Sequence, residues 1–139
     1  MKVLFDTNVL LDVFLERKSF FGSSAQVVGL VEQGKIDGWI GATTVTTIFY
    51  LLSKALTRKQ AEENIKKLLK IFHVSSITRV VLEEALDSQF KDYEDGVLYQ
   101  SAIHANLDVI ITRNQKDFTK SSLPVYNPTE FLDVLDILE

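Results

Sequence analysis

The chain has no cysteine. Disulfides, thiolate catalysis and zinc-ribbon sites are therefore excluded. Histidine is nearly as scarce: His73 and His104 stand far apart, which argues against a histidine-rich metal centre. No apolar run approaches the ~20 residues that a membrane span requires. The start also lacks the basic-then-apolar order of a signal peptide. A soluble protein working in the cytoplasm, with no membrane contact, is expected. Positive charge is not in excess either. Fifteen Lys+Arg against 19 Asp+Glu leave a net charge of −4, which argues against a generally basic nucleic-acid coat but permits a local basic patch. Repeats, linkers and low-complexity stretches are missing. What remains is 139 residues, 46% of them hydrophobic, enough for a single domain spanning residues 1–139 around one good-sized core. Carboxylate oxygen is plentiful, and carboxylates suit hard cations.

Lys2-Val3-Leu4-Phe5 reads as a first strand, apolar enough to be covered on both faces. Asp6-Thr7-Asn8 then breaks the apolar run. In an open α/β sheet, ligands collect beyond the carboxyl ends of strands. Asp6 is placed there for metal chemistry, or else Asp6 or Asn8 caps the following helix. Val9 to Glu16 has the look of a short helix with Asp12 and Glu16 on one face. A second helix starts at Ser23 or Ser24 and stops at Gly34. Ile36 to Ala42 reads as the second strand. Thr43 to Leu56 is helical by period, with Val45, Ile48, Phe49 and Leu52 as its buried stripe.

Thr57-Arg58-Lys59-Gln60 is a capping box opening a helix through Ala61, Ile65, Leu68, Leu69 and Phe72. Phe72 to Ile77 reads as a short strand and Thr78 to Gln89 as a helix. Another helix opens at Lys91-Asp92-Tyr93-Glu94-Asp95 and runs to about Asn106. Asp108 to Thr112 is a clear strand, followed by the polar turn Arg113 to Phe118. Val125-Tyr126 reads as an edge strand. Asn127-Pro128-Thr129-Glu130 then starts the last helix with a cap, a proline at the first helical position and a glutamate three residues on. This alternation predicts an α/β protein, a sandwich with a mainly parallel central sheet.

Carboxylates recur near these boundaries: Asp6, Asp12, the cluster Asp92/Glu94/Asp95, and Asp117. The helix dipole explains one acid at a helix start, though three in four residues less comfortably. Asp117 has a plain reading as a turn residue. Carboxylates converging from separate strand ends repel one another unless a cation sits among them. Mg²⁺ or Mn²⁺, bound through oxygens, is the matching occupant, and such a centre serves phosphodiester hydrolysis.

FDTNVLLD at the start, KDYEDGVLYQSAIHANLDVIITRNQKDF later and PVYNPTEFL near the end resemble a PIN domain in order and spacing. The resemblance covers nearly the whole chain. It implies a three-layer α/β/α fold with an acidic Mg²⁺/Mn²⁺ site, and many relatives that cleave single-stranded RNA. A large group of them are VapC-type toxins, usually dimeric and restrained by an antitoxin protein. On this resemblance Asp6 is the first acid, and Asp95 the acid opening the later helix. Thr7 and Asn8 orient Asp6. Asn114 occupies the commonest slot of the fourth acid, so Asp117 takes over, with Asn114 as a neutral oxygen ligand. The second acid, often a glutamate, is replaced by Thr47, with Asp12 as its natural substitute. Asp92 is a further candidate ligand.

Lys54, Arg58, Lys59, Lys66, Lys67 and Lys70 crowd seventeen positions. Their plain reading is a solvated helix face. Beside an acidic metal site, Lys66, Lys67 and Lys70 become a track for a nucleic-acid backbone. Arg17, Arg113 and Lys116 flank the proposed site and suit the scissile phosphate. The leading expectation is a metal-dependent endoribonuclease acting on single-stranded RNA, alone or as a toxin. The alternative is a degenerate PIN domain that binds RNA or a protein partner without cutting. A phosphate-handling enzyme using Asp6 as nucleophile fits less well, since no Gly-rich phosphate loop follows a strand.

Overall fold

The apolar run Val3–Phe5 lies at the centre of the sheet. In a computed structural model of the protein, which describes residues 1–138, β1 (Lys2–Phe5) lies between β2 (Asp37–Gly41) and β4 (Val109–Ile111). β3 (His73–Ser75) and β5 (Val125–Tyr126) extend the sheet outward, giving the order β3-β2-β1-β4-β5 with every pairing parallel. The helices are α1 (Thr7–Phe14), α2 (Phe21–Glu32), α3 (Ala42–Ala55), α4 (Arg58–Ile71), α5 (Arg79–Leu86), α6 (Tyr93–His104) and α7 (Pro128–Leu138). A short 3₁₀ turn covers Gln115–Phe118.

The pleat of the strands sorts their side chains into two layers. Val3, Phe5, Val109 and Ile111 face a core built by α1, α2, α3, α4 and α7, with Leu10, Val27, Ile48, Leu68 and Phe131. Leu4 and Ile110 face the other way, against Leu98 and Ala102 of α6 and Phe118. α5 covers α6 through Val81, Ala85 and Val97. The result is the expected three-layer sandwich. The two glycines of β2 serve close approach. A Cβ on Gly38 would lie 2.7 Å from the Phe72 ring and 2.8 Å from Val31, and one on Gly41 would strike Leu98.

Local signals set most helix starts. Thr57 and Gln60 form the expected capping box on α4. Asn127 and Glu130 exchange two hydrogen bonds, of 3.1 and 2.8 Å, at the start of α7. Each such cap is worth about 1 kcal/mol. Other boundaries move. α1 begins at Thr7 rather than Val9, because Asp6 caps it. α2 begins at Phe21, ahead of the serines. β3 keeps only His73–Ser75, because Phe72 is buried in the core as the cap of α4. α5 ends at Leu86, before Gln89 turns to a left-handed φ of 64°.

The topology also fixes where a ligand belongs. From β1 the chain moves outward through β2 and β3, then returns to the other side of β1 for β4 and β5. At such a switch point the carboxyl ends of the two central strands open a crevice. Asp6 leaves β1 there, and Thr112 to Asn114 leave β4 beside it.

Candidate active site

Asp6 is held by both neighbours of the crevice. Its amide donates to the Ile111 carbonyl at 2.9 Å, continuing the β1–β4 ladder by one rung. Its Oδ1 accepts from the Thr7 amide at 2.8 Å and so caps α1. Its Oδ2 accepts from the Thr112 hydroxyl at 2.8 Å. The cap and the site position thus belong to one side chain, only 6% exposed. Burial raises the pKa of Asp6. Hydrogen bonds from Thr112 and Thr7 oppose the rise, the charge of Asp117 adds to it, and that of Arg113 lowers it.

Across the crevice, Asp92 caps α6, its Oδ1 accepting from the Asp95 amide at 3.1 Å. Asp95 follows in the first turn. Its carboxyl is raised to about 7 by burial first, then by the charges of Asp6, Asp92, Asp117 and Glu94. α3 forms another wall through Thr47, and Thr7 reaches Thr44 of the same helix, hydroxyl to hydroxyl at 3.1 Å. Asn114 and Asp117 close the cleft from the loop after β4, the Asn114 amide donating to Thr112 Oγ1 at 3.0 Å.

The cleft holds about 280 Å³. Its walls are Asp6, Thr7, Asn8, Thr47, Asp92, Glu94, Asp95, Asn114 and Asp117, over apolar Leu11, Leu51 and Leu98. Five carboxylates therefore share one cleft that no lysine or arginine lines. Among the described residues, no three acidic or histidine side chains stand close enough to form a finished ion-binding group. The donor chemistry still fits a hard divalent cation: every donor is oxygen, and burial together with the repulsion of neighbouring carboxylates raises Asp95.

Residues 2–116 match the PIN domain family. The chain belongs to this family. It is 30% identical over 137 residues to Ribonuclease VapC1 of Aquifex aeolicus, covering 95% of this chain and 94% of that protein. A chain in a toxin–antitoxin complex from Klebsiella pneumoniae is 26% identical, with a TM-score of 0.67 over 91% of this PIN domain and 97% of that chain. DNA-bound VapBC from Salmonella typhimurium shares the fold at 14% identity, with a TM-score of 0.71 over 92% and 98%.

In this PIN domain Asp12 does not join the cleft, which corrects its expected role as the substitute acid and metal ligand. Six helical residues past Asp6 amount to a rotation of about 240°, which turns Asp12 away from the crevice. Its carboxylate is fully buried between two arginines. Arg17 Nη1 lies 3.4 Å from Oδ1, and Arg113 Nε lies 2.7 Å from Oδ2, an ion pair out of line for a hydrogen bond. Arg113 also stacks 3.9 Å over the Phe20 ring. Neither arginine lines the acidic cleft, so their expected hold on the scissile phosphate is corrected too.

Lys116 is exposed on the 3₁₀ turn beside Asp117. Lys66, Lys67 and Lys70 are exposed on α4, and none reaches the cleft; Lys67 borders an apolar groove formed with α1 and α2. Thr112 and Thr44 are site residues that motif reading did not single out. The signal for Thr112 was available: it is the one hydroxyl at the carboxyl end of an otherwise apolar strand.

Proposed function

We propose that this PIN domain is a Mg²⁺- or Mn²⁺-dependent endoribonuclease that cleaves single-stranded RNA. We propose further that it acts in the cytoplasm as the toxin of a toxin–antitoxin pair, as a homodimer restrained by its antitoxin. One observation carries the reading: five carboxylates gathered in one cleft at the β1/β4 switch point. The ribonuclease relative and the toxin–antitoxin complex of similar fold support the substrate and the partner. No helix among the described residues is long and apolar enough to cross a membrane.

Asp6, Asp95 and Asp117 would hold the ion, with Asn114 and Thr47 as neutral oxygen donors and Asp92 at the rim. A divalent ion, when bound, supplies Lewis acidity toward the scissile phosphate and makes a neighbouring water more acidic. Thr112 and the Thr7 amide fix both oxygens of Asp6, so its carboxylate needs no rearrangement to face the cleft. Raised to about 7 by burial and by its acidic neighbours, Asp95 holds a proton to higher pH than an ordinary carboxyl, and that proton must leave when a cation binds. Leu11, Leu51 and Leu98 keep one side of the cleft dry, which strengthens the electrostatics within it.

Thr47 and Asn114 support the second reading, an RNA-binding PIN domain that does not cut, because both replace charge with a neutral oxygen. A single-stranded RNA incubated with Mn²⁺ or Mg²⁺, with and without EDTA, tests both. The proposal expects ion-dependent cleavage that falls about a hundredfold or more in Asp6→Asn. Asparagine caps a helix as well as aspartate does, so folding is preserved. Cleavage that survives exhaustive chelation, or a fully active Asp6→Asn, overturns the metal-nuclease reading. Tight RNA binding without any cutting selects the second.

A further inference from the structure

On the other side of Arg113 from the acidic cleft lies a second cleft, also of about 280 Å³, between α2 and the start of α7. Its walls include Arg113, Phe20, Ser23, Ser24 and Thr129, and no acidic residue. Arg113 and Arg17 share one buried counter-charge, Asp12, so the group keeps a net positive charge of one. The amino-terminus of α2 also faces this cleft. Its cap residue is Phe20, which makes no side-chain capping bond. The Phe21 and Ser24 amides find backbone carbonyls, at 2.9 Å to Arg17 and 3.2 Å to Phe20, whereas those of Gly22 and Ser23 have no such partner among the described residues.

Ser24 supplies an independent sign of a ligand. It is 0% exposed, it lines the cleft, and its hydroxyl has no hydrogen-bond partner. A buried hydroxyl without a partner is costly, and an acceptor bound in the cleft would complete it. A guanidinium, free helical amides and hydroxyl donors suit an oxyanion with several acceptors. At the neighbouring helix, Glu130 already bonds the Asn127 amide, so α7 adds little attraction and the affinity is modest.

We propose that this cleft is a phosphate-binding site, formed by Arg113, the uncapped start of α2 and the Ser24 hydroxyl. Its ligand is a phosphate ester, either of a small nucleotide or of a nucleic-acid backbone. The site does not depend on the acidic cleft being a nuclease.

The test is a titration of the isotopically labelled protein with inorganic phosphate, following the amide resonances of Gly22, Ser23 and Ser24 by NMR. Wild type is expected to show saturable shifts at these amides. Ser24→Ala is expected to weaken phosphate about fivefold while leaving the melting temperature unchanged or higher, because the lost hydroxyl had no partner in the free protein. Ser23→Asp is expected to abolish binding, since its carboxylate occupies the helix terminus itself, where it is stabilising. Arg113 is kept in both variants, because its loss would strand buried Asp12.

A 5′-mononucleotide and a short single-stranded DNA form two further arms. A nucleotide that binds more tightly than free phosphate, and at least as tightly as DNA, identifies a small ester as the source. Tighter DNA binding with the same sensitivity to both variants identifies a backbone phosphate. The absence of saturable shifts, or a Ser24→Ala protein that loses stability and no affinity, overturns the site.

Discussion

Replacing Asp95 by Asn should make the ion-free protein more stable at pH 8. The carboxyl of Asp95 is raised to about 7 in the fold, by burial and by four neighbouring acids, against an ordinary value of 3.8. Below about pH 4 it is protonated in both the folded and the unfolded chain, and the stability associated with it is fully present. As pH rises from about 4 to 7, the unfolded chain releases the proton first and stability falls. Above 7 both states are charged and the loss is complete. The gap between 3.8 and about 7 sets a ceiling of about 4 kcal/mol. Asp95 is only half withdrawn from solvent, and screening reduces this to about 1–2 kcal/mol. Asparagine forfeits about 0.5 kcal/mol of favourable interaction with the α6 terminus.

The net gain at pH 8 is then about 1 kcal/mol, or roughly 3–4 °C in melting temperature for a domain of this size. At pH 4 the gain should vanish. Thermal unfolding in EDTA at pH 4, 6 and 8 measures it, and the same scans with added Mn²⁺ supply the counterpart. Wild type should be stabilised by the ion far more than Asp95→Asn, because binding to the folded state alone raises stability. A variant less stable than wild type at pH 8, or a difference that does not change with pH, would refute the claim that burial and neighbouring carboxylates strain Asp95.

Thr47→Glu should bind Mn²⁺ about tenfold more tightly, about 1.4 kcal/mol, in calorimetric titration. Thr46→Glu should not, since Thr46 is exposed and its hydroxyl bonds the Thr43 carbonyl; equal affinities would place α3 wrongly relative to the ion. Changing Lys66, Lys67 and Lys70 together to Gln should leave the salt dependence of RNA binding unchanged, because none of them reaches the cleft. A log–log slope reduced by about 0.7 per lysine would instead run the RNA over α4. Asp12→Ala should cost about 3–5 kcal/mol in urea unfolding, the usual result of stripping one partner from a buried ion pair, with no dependence on divalent ions. An ion-dependent loss would return Asp12 to the proposed metal centre.

The layers of the fold were legible because its pattern is local. Alternation in VLF and VII sorts side chains between two helical layers, and Thr57-Gln60 and Asn127-Glu130 each mark a helix start within four residues. The positions of Asp6, Asp95 and Asp117 were legible from strand ends and helix starts. Arg113 and Asp12 were not, since a hundred residues separate them and no periodicity relates a loop to a helix that far away. Sequence proximity to the site suggested phosphate contact for Arg17 and Arg113, but proximity in the chain does not say which way a side chain turns.

The segment leaving β4 explains how the two clefts coexist. Thr112, Arg113 and Asn114 are consecutive, yet each serves a different environment. Thr112 turns inward and holds Asp6 Oδ2. Arg113 turns to Asp12 and the hydroxyl-lined cleft, and Asn114 turns to the acidic one. The chain bends at Arg113, past the end of β4, and this bend sends the Arg113 and Asn114 side chains to different clefts. Electrostatics makes the separation useful. Arg113 is close enough to lower the pKa of Asp6, yet Asp12 neutralises much of its charge, so an uncompensated cation does not compete for the carboxylates. If Arg113 lined the acidic cleft directly, it would satisfy the very charges that the proposed metal ion would satisfy. Asp12 is therefore better understood as the residue that keeps Arg113 out of the site than as a ligand within it.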